Sequence, residues 1–99
     1  MVKSRSIYQV GYRAERKARS ILKGWGFTVV RSAKSGGPFD LVAFDNTKFM
    51  LVQVKVCPKG KVLPFGKLRK QLAEIPAPVN CRKELWVYES GDGFHYMPI

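Results

Sequence analysis

The 99 residues predict an α/β domain, a mixed central β-sheet flanked by helices in the order α-β-β-β-α-β-β. Three observations carry this. Apolar residues recur at helical spacing through the first 25 positions. Short runs rich in Val, Phe and Leu follow between 27 and 56. A second, shorter amphipathic stretch then separates those runs from two more near the C-terminus.

Each element has its own signal. Ser6-Ile7-Tyr8-Gln9 reads as a capping box, with Ser6 as N-cap, so a helix is expected over 7–23, stopped by Gly24 and Gly26. Ala14, Ala18, Ile21, Leu22 and Trp25 form its core stripe. Glu15 lies at the edge of that stripe, and Arg13, Arg16, Lys17, Arg19 and Lys23 lie outside it. Residues 27–31 (Phe-Thr-Val-Val-Arg) form a strand, and 32–38 (Ser-Ala-Lys-Ser-Gly-Gly-Pro) a loop, either a plain connector or a flap over a ligand. Strands over 39–44 and 49–56 flank the turn Asp45-Asn46-Thr47-Lys48. A helix over 65–75 places Phe65, Leu68, Leu72 and Ile75 on one face before Pro76 and Pro78. Strands over 84–89 and 94–97 close the chain around Ser90-Gly91-Asp92-Gly93. Trp25 is expected in the core, and Trp86 and Tyr88 are assigned either to packing or to a contact between two copies.

Composition narrows the function. One domain, residues 1–99, is expected from the length, without internal repeats. Eighteen Lys and Arg against seven Asp and Glu leave a net charge of +11, which points to a polyanion, above all nucleic acid. The apolar fraction of 45% supports a packed core and argues against a disordered basic tail. No apolar run is long enough for a membrane span, and no apolar stretch follows the basic start as a signal peptide requires. Cys57 and Cys81 have no zinc spacing and His95 is the single histidine, so free thiols in a reducing cytoplasm are expected.

The charge is uneven. Residues 1–34 hold nine basic side chains and one acid, Glu15, and residues 55–70 hold six basic side chains and no acid. Lys59, Lys61, Lys67 and Lys70 of that second segment are expected to form a phosphate track.

The central hairpin carries the chemistry. A turn centred between Asn46 and Thr47 pairs Asp40 with Gln53, Val42 with Leu51 and Phe44 with Phe49. Alternation then gathers Asp40, Gln53 and Lys55 at one end of an otherwise apolar face. Leu41, Ala43, Met50, Val52 and Val54 form the other face, so both faces are expected to be covered. An Asp40–Lys55 ion pair is one account of the trio. The other is metal-assisted phosphodiester hydrolysis. Oxygen ligands suit Mg²⁺, which takes only one or two protein carboxylates, and a lysine can orient the attacking water. Glu15 would add a second carboxylate.

Gly11-Tyr12-Arg13-Ala14-Glu15-Arg16, the stretch 26–35 (Gly-Phe-Thr-Val-Val-Arg-Ser-Ala-Lys-Ser), Asp40-Leu41-Val42-Ala43 and Val52-Gln53-Val54-Lys55 together resemble the archaeal-type Holliday junction resolvases of the PD-(D/E)XK nuclease superfamily. The resemblance covers about residues 7–56 and implies a restriction-endonuclease-like core. It further implies that Asp40, Gln53 and the Val54 carbonyl bind Mg²⁺, with Mn²⁺ as a substitute, and that Glu15 lies close by. Lys55 would position the nucleophilic water, and Ser35 would be a catalytic serine on the loop. Arg16 and Arg31 would hold DNA phosphates, joined by Ser32 and Lys34. Family members usually carry Glu where this chain has Gln53; phage-type relatives resemble it in using Gln. The expected protein is a homodimer that resolves four-way DNA junctions in the cytoplasm of a cell or viral host. The same fold acting on other branched, flap or damaged DNA, and a non-catalytic DNA-binding module, are the alternatives.

Overall fold

The structure, a computed structural model, describes residues 7–32 and 38–99, and the side chains of all of these except 7–9. The expected capping box at Ser6 and the loop residues Lys34 and Ser35 lie outside the described residues.

Helix α1 spans Ile7–Gly24 and buries Ala14, Ala18 and Leu22. Its end is a Schellman motif. Phe27 N–H donates to the Leu22 carbonyl at 3.1 Å, Gly26 N–H donates to Lys23 at 3.0 Å, and Gly26 takes φ +95°. The chain reverses here, which corrects the expectation for Trp25. As the last residue before the left-handed glycine it leaves the helical stripe and is 55% exposed.

Five strands follow: β1 Thr28–Arg31, β2 Leu41–Phe44, β3 Phe49–Cys57, β4 Cys81–Glu89 and β5 Gly93–Pro98, with α2, Gly66–Ala73, between β3 and β4. They form one sheet in chain order, antiparallel throughout except for the parallel β3–β4 pair that α2 bridges. The mixed sheet with its flanking helices is the α/β arrangement the sequence predicts. The expected register holds over β2 and β3, with Val42 opposite Leu51 and Phe44 opposite Phe49. The turn between them is fixed by Asp45, whose Oδ1 accepts the N–H groups of Thr47 at 2.8 Å and Lys48 at 3.0 Å.

The sheet is covered on both faces by two separate cores. On one face Ala18 and Leu22 of α1 pack on Leu41, Ala43, Met50, Val52 and Trp86. On the other, Leu72 of α2 packs with Phe39, Cys57, Leu85 and Val87. Trp86 is 0% exposed, which settles it as packing; its indole N–H donates to the buried Glu84 carboxylate at 2.8 Å. Strand β4 begins three residues earlier than its apolar run, because Lys83 has a structural partner. Its ammonium donates to the carbonyls of Leu72 at 2.9 Å, Ala73 at 3.0 Å and Ile75 at 2.6 Å, closing the C-terminal end of α2. Helix α2 is shorter than its apolar period. Phe65 sits at φ 52°, in the left-handed region, and feeds its ring into the α2-side core from outside the helix.

Candidate active site

The expected pairing of Asp40 with Gln53 does not form, and that departure builds the site. The β2–β3 ladder ends at Leu41 opposite Val52. Asp40 N–H also donates to Val52 O, at 2.9 Å, so two successive residues of one strand face one residue of the other, as in a β-bulge. Side-chain direction agrees. Phe39 packs in the α2-side core while Leu41 packs in the α1-side core, although strict alternation would put both on one face. Asp40 therefore turns its carboxylate along the edge of β3, where Oδ2 accepts Val54 N–H at 2.9 Å. Its carbonyl accepts Ser32 N–H, also at 2.9 Å. Three bonds thus fix the residue: its N–H, its C=O and one carboxylate oxygen.

Because β2 leaves the ladder at this point, β3 opens beyond Val52 onto a depression of about 680 Å³. Asp40, Gln53, Val54 and Lys55 line it from the sheet, Gly11, Tyr12 and Glu15 from α1, and Arg31 from the end of β1. Four residues expected to act together, Glu15, Asp40, Gln53 and Lys55, are brought to one concavity. Asp40 and Lys55 form no ion pair within 4 Å, so the salt-bridge account of the trio fails.

The side chains are unevenly satisfied. Glu15 is held by the Arg31 guanidinium, whose Nε donates to Glu15 Oε1. Gln53 is half-buried, and its Oε1 is the only buried side-chain oxygen or nitrogen among the described residues with no hydrogen-bond partner. An orphaned acceptor of this kind costs folding free energy, and such groups mark places where an ion, water or substrate completes the bonding. Among the described residues no three His, Cys, Asp or Glu side chains group as a metal cage. The available donor set is two carboxylates (Glu15 and Asp40), the Gln53 amide oxygen and the Val54 carbonyl. All are oxygens, which fits a hard cation that retains several waters.

Tyr12 is the residue that sequence reasoning missed. Two guanidinium groups lie over its ring, Arg16 at 5.8 Å and Arg31 at 5.3 Å from the centroid. The signal was present, since Tyr12 stands one helical turn before Glu15 and shares its side of α1. The clamp holds Arg16 and Arg31 at the rim. Ser32 is exposed beside Arg31. The expected phosphate track is not drawn to the depression. Lys59 and Lys61 follow β3 in an exposed turn, and Lys67 and Lys70 are exposed on α2, across the sheet from α1.

Comparison with known proteins bears on the family and the fold. A family model described as archaeal Holliday junction resolvase (Hjc) matches residues 6–71, two thirds of the chain. No curated protein matches it significantly. Among solved structures it is similar to Hjc of Archaeoglobus fulgidus, a Holliday junction resolvase from an archaeal hyperthermophile, with a TM-score of 0.67 and 20% identity over 87% of this chain and 73% of that one.

Proposed function

The chain belongs to the archaeal Holliday junction resolvase (Hjc) family of nucleases, and from that membership we propose that it is a divalent-metal-dependent endonuclease that resolves four-way DNA junctions by paired incisions. The observation that carries the metal-dependent part is the buried, unpartnered Gln53 Oε1 in the same depression as the Asp40 and Glu15 carboxylates.

In this reading Asp40, Gln53, the Val54 carbonyl and Glu15 hold Mg²⁺ or Mn²⁺. When bound, such an ion polarises a phosphodiester and lowers the pKa of an attacking water. The chain's own residues set the geometry. Asp40 arrives in position because its backbone and one carboxylate oxygen are already bonded, so little ordering remains for substrate binding to impose. Lys55 lines the depression two residues beyond Gln53 and orients the attacking water or steadies charge developing on the phosphate. Arg31 keeps Glu15 aimed at the site and, with Arg16, presents a cationic rim to the flanking phosphates. The family resemblance assigns Ser35 a catalytic role and Lys34 a DNA contact, both outside the described residues. Lys59, Lys61, Lys67 and Lys70 act farther out, as non-specific phosphate contacts. The single domain works as a homodimer, so that two such sites address opposing strands of the junction. The free thiols Cys57 and Cys81 suit a reducing cytoplasm, and no helix among the described residues is long and apolar enough to cross a membrane.

The decisive assay is incubation of a four-way junction, a fork, a flap and a duplex with Mg²⁺ or Mn²⁺. Paired nicks confined to the junction are expected. Asp40→Asn or Lys55→Ala should abolish them while junction binding survives. Wild-type cutting by either variant would remove the assigned site, and preference for a flap would replace the resolvase by another branched-DNA nuclease. Gln53, an uncharged ligand where relatives usually have an acid, favours one rival, a module that binds junctions without cutting. Absence of nicks with both metals would establish it.

A further inference from the structure

A second concavity lies on the other flank of α1, and the nuclease reading leaves it without a role. It has a volume of about 620 Å³, within the range of roughly 300–1,000 Å³ usual for ligand sites. Arg13, Arg16 and Lys17 line it from the helix, and Tyr88, Phe94 and Tyr96 from β4 and β5. Among the described residues no acidic side chain lines it.

The fold explains why the aromatic residues face outward. Helix α1 packs over β1, β2 and β3, and the outer strands β4 and β5 continue beyond it on the same face. Their register sets Tyr88 opposite Phe94 and Trp86 opposite Tyr96, so four aromatic side chains share that face. Trp86 is sealed beneath. Tyr88 is capped by Lys17, whose ammonium lies 4.7 Å from the ring centroid and donates to the hydroxyl at 3.0 Å. Phe94 is half-buried against Trp86 and Tyr88, and Tyr96, stacked beside it with an interplanar angle of 22°, is 46% exposed.

We propose that this groove binds an unpaired stretch of nucleic acid, with Phe94 and Tyr96 stacking the bases and Arg13, Arg16 and Lys17 holding the phosphates. A duplex hides its base faces and offers only phosphate, so aromatic platforms beside cations select a strand whose bases are free to stack. A second copy of this chain is the poorer occupant, because it would bring the same three cations against each other on a protein of net charge +11. The groove adjoins the nuclease site at Arg16. Arg16 lines the groove and reaches over Tyr12, which lines the catalytic depression, so one strand can pass from one to the other across α1. The reason a strand would be there rests on the nuclease reading; the binding itself does not.

The test is fluorescence anisotropy with labelled oligothymidylate and a duplex of equal length, in EDTA, so that no cutting occurs. Tyr96→Ala should weaken single-strand binding about 5- to 100-fold and change duplex binding less than about twofold. Tyr96→Phe, which keeps the platform, should bind as wild type and guards against a folding defect. Unchanged single-strand affinity in Tyr96→Ala, an equal loss on duplex, or a loss in Tyr96→Phe would each overturn the proposal. So would a shift from dimer to monomer in Tyr96→Ala, which would make the groove a contact between copies. A selective single-strand loss in a protein that never cuts a junction would uphold the groove and reject the nuclease reading. Junction cutting with no single-strand effect would do the reverse.

Discussion

Gln53→Leu should make the metal-free protein more stable while disabling it. In the folded chain Gln53 Oε1 is buried and has no partner among the described residues, whereas in the unfolded chain it is hydrated. A buried polar atom left in that state costs about 1–3 kcal/mol. Leucine has similar length, removes the acceptor, and adds apolar surface beside Leu85, the residue paired with position 53. For a domain of this size, at about 4–8 °C per kcal/mol, the melting temperature in EDTA should rise by roughly 4–24 °C. Metal should narrow the difference. An ion present at ten times its Kd stabilises the wild type by about 1.4 kcal/mol, and the variant should gain little of this because one ligand is gone. The assay is thermal unfolding followed by circular dichroism, in EDTA and in millimolar Mg²⁺, beside junction cleavage. A variant that melts at or below wild type in EDTA would show that Oε1 is already bonded and refute the premise. Equal Mg²⁺ shifts in both proteins would place the ion elsewhere. Gln53→Glu is the companion variant. A third carboxylate beside Asp40 and Glu15 should lower the metal-free melting temperature and enlarge the Mg²⁺ shift.

Three further outcomes can be checked. Lys83→Met removes the donor that closes α2 on three carbonyls and should cost about 2–3 kcal/mol, seen as a lower midpoint in urea; an unchanged midpoint would mean water serves those carbonyls equally well. The Gly60 N–H at 2.8 Å, and then His95, hold the Glu89 carboxyl below its usual range, so its contribution is complete above the unfolded-state pKa and is lost as pH falls through the folded-state value. Glu89→Gln should therefore flatten the acid limb of a melting-temperature profile between about pH 5 and pH 2, and an unaltered limb would contradict the assignment. Arg31→Ala breaks an ion pair between an exposed arginine and the largely buried Glu15 side chain and should cost about 1 kcal/mol, yet lower the salt slope of junction binding by about one; an unchanged slope would remove Arg31 from the phosphate path.

What was legible in the sequence is what local pattern determines. The apolar alternation of 41–44 and 49–52 and the Asx turn at Asp45 are sequence-local, and together they set the β2–β3 register. The helical period of α1 likewise placed Glu15 at the edge of the buried stripe, where its side chain is 15% exposed. Legibility ended where one long-range bond decides. The bulge at Asp40 exists because its carboxylate reaches Val54 N–H fourteen residues away, and no pattern around position 40 announces that. Trp25 continued a periodic stripe that the Gly26 reversal had already ended. The start of β4 was hidden because Arg82 and Lys83 look like loop residues until α2 supplies carbonyls for Lys83.

Strand β4 carries none of the proposed hydrolytic groups, yet it governs how the molecule opens. Glu84, Leu85, Trp86 and Val87 are all buried, belonging alternately to the two faces, so β4 is the strand through which both cores are joined. Its amides can exchange with solvent only when both cores come apart, and they should report the global unfolding free energy. The β1 edge has no such seal: Val30 is 51% exposed, and one ladder with β2 holds it to the sheet. Openings there should be frequent and inexpensive by comparison. The half of the depression built from Arg31 can thus yield to a bulky ligand such as the proposed branched DNA, while the β3 wall bearing Gln53 and Lys55 stays rigid against β4.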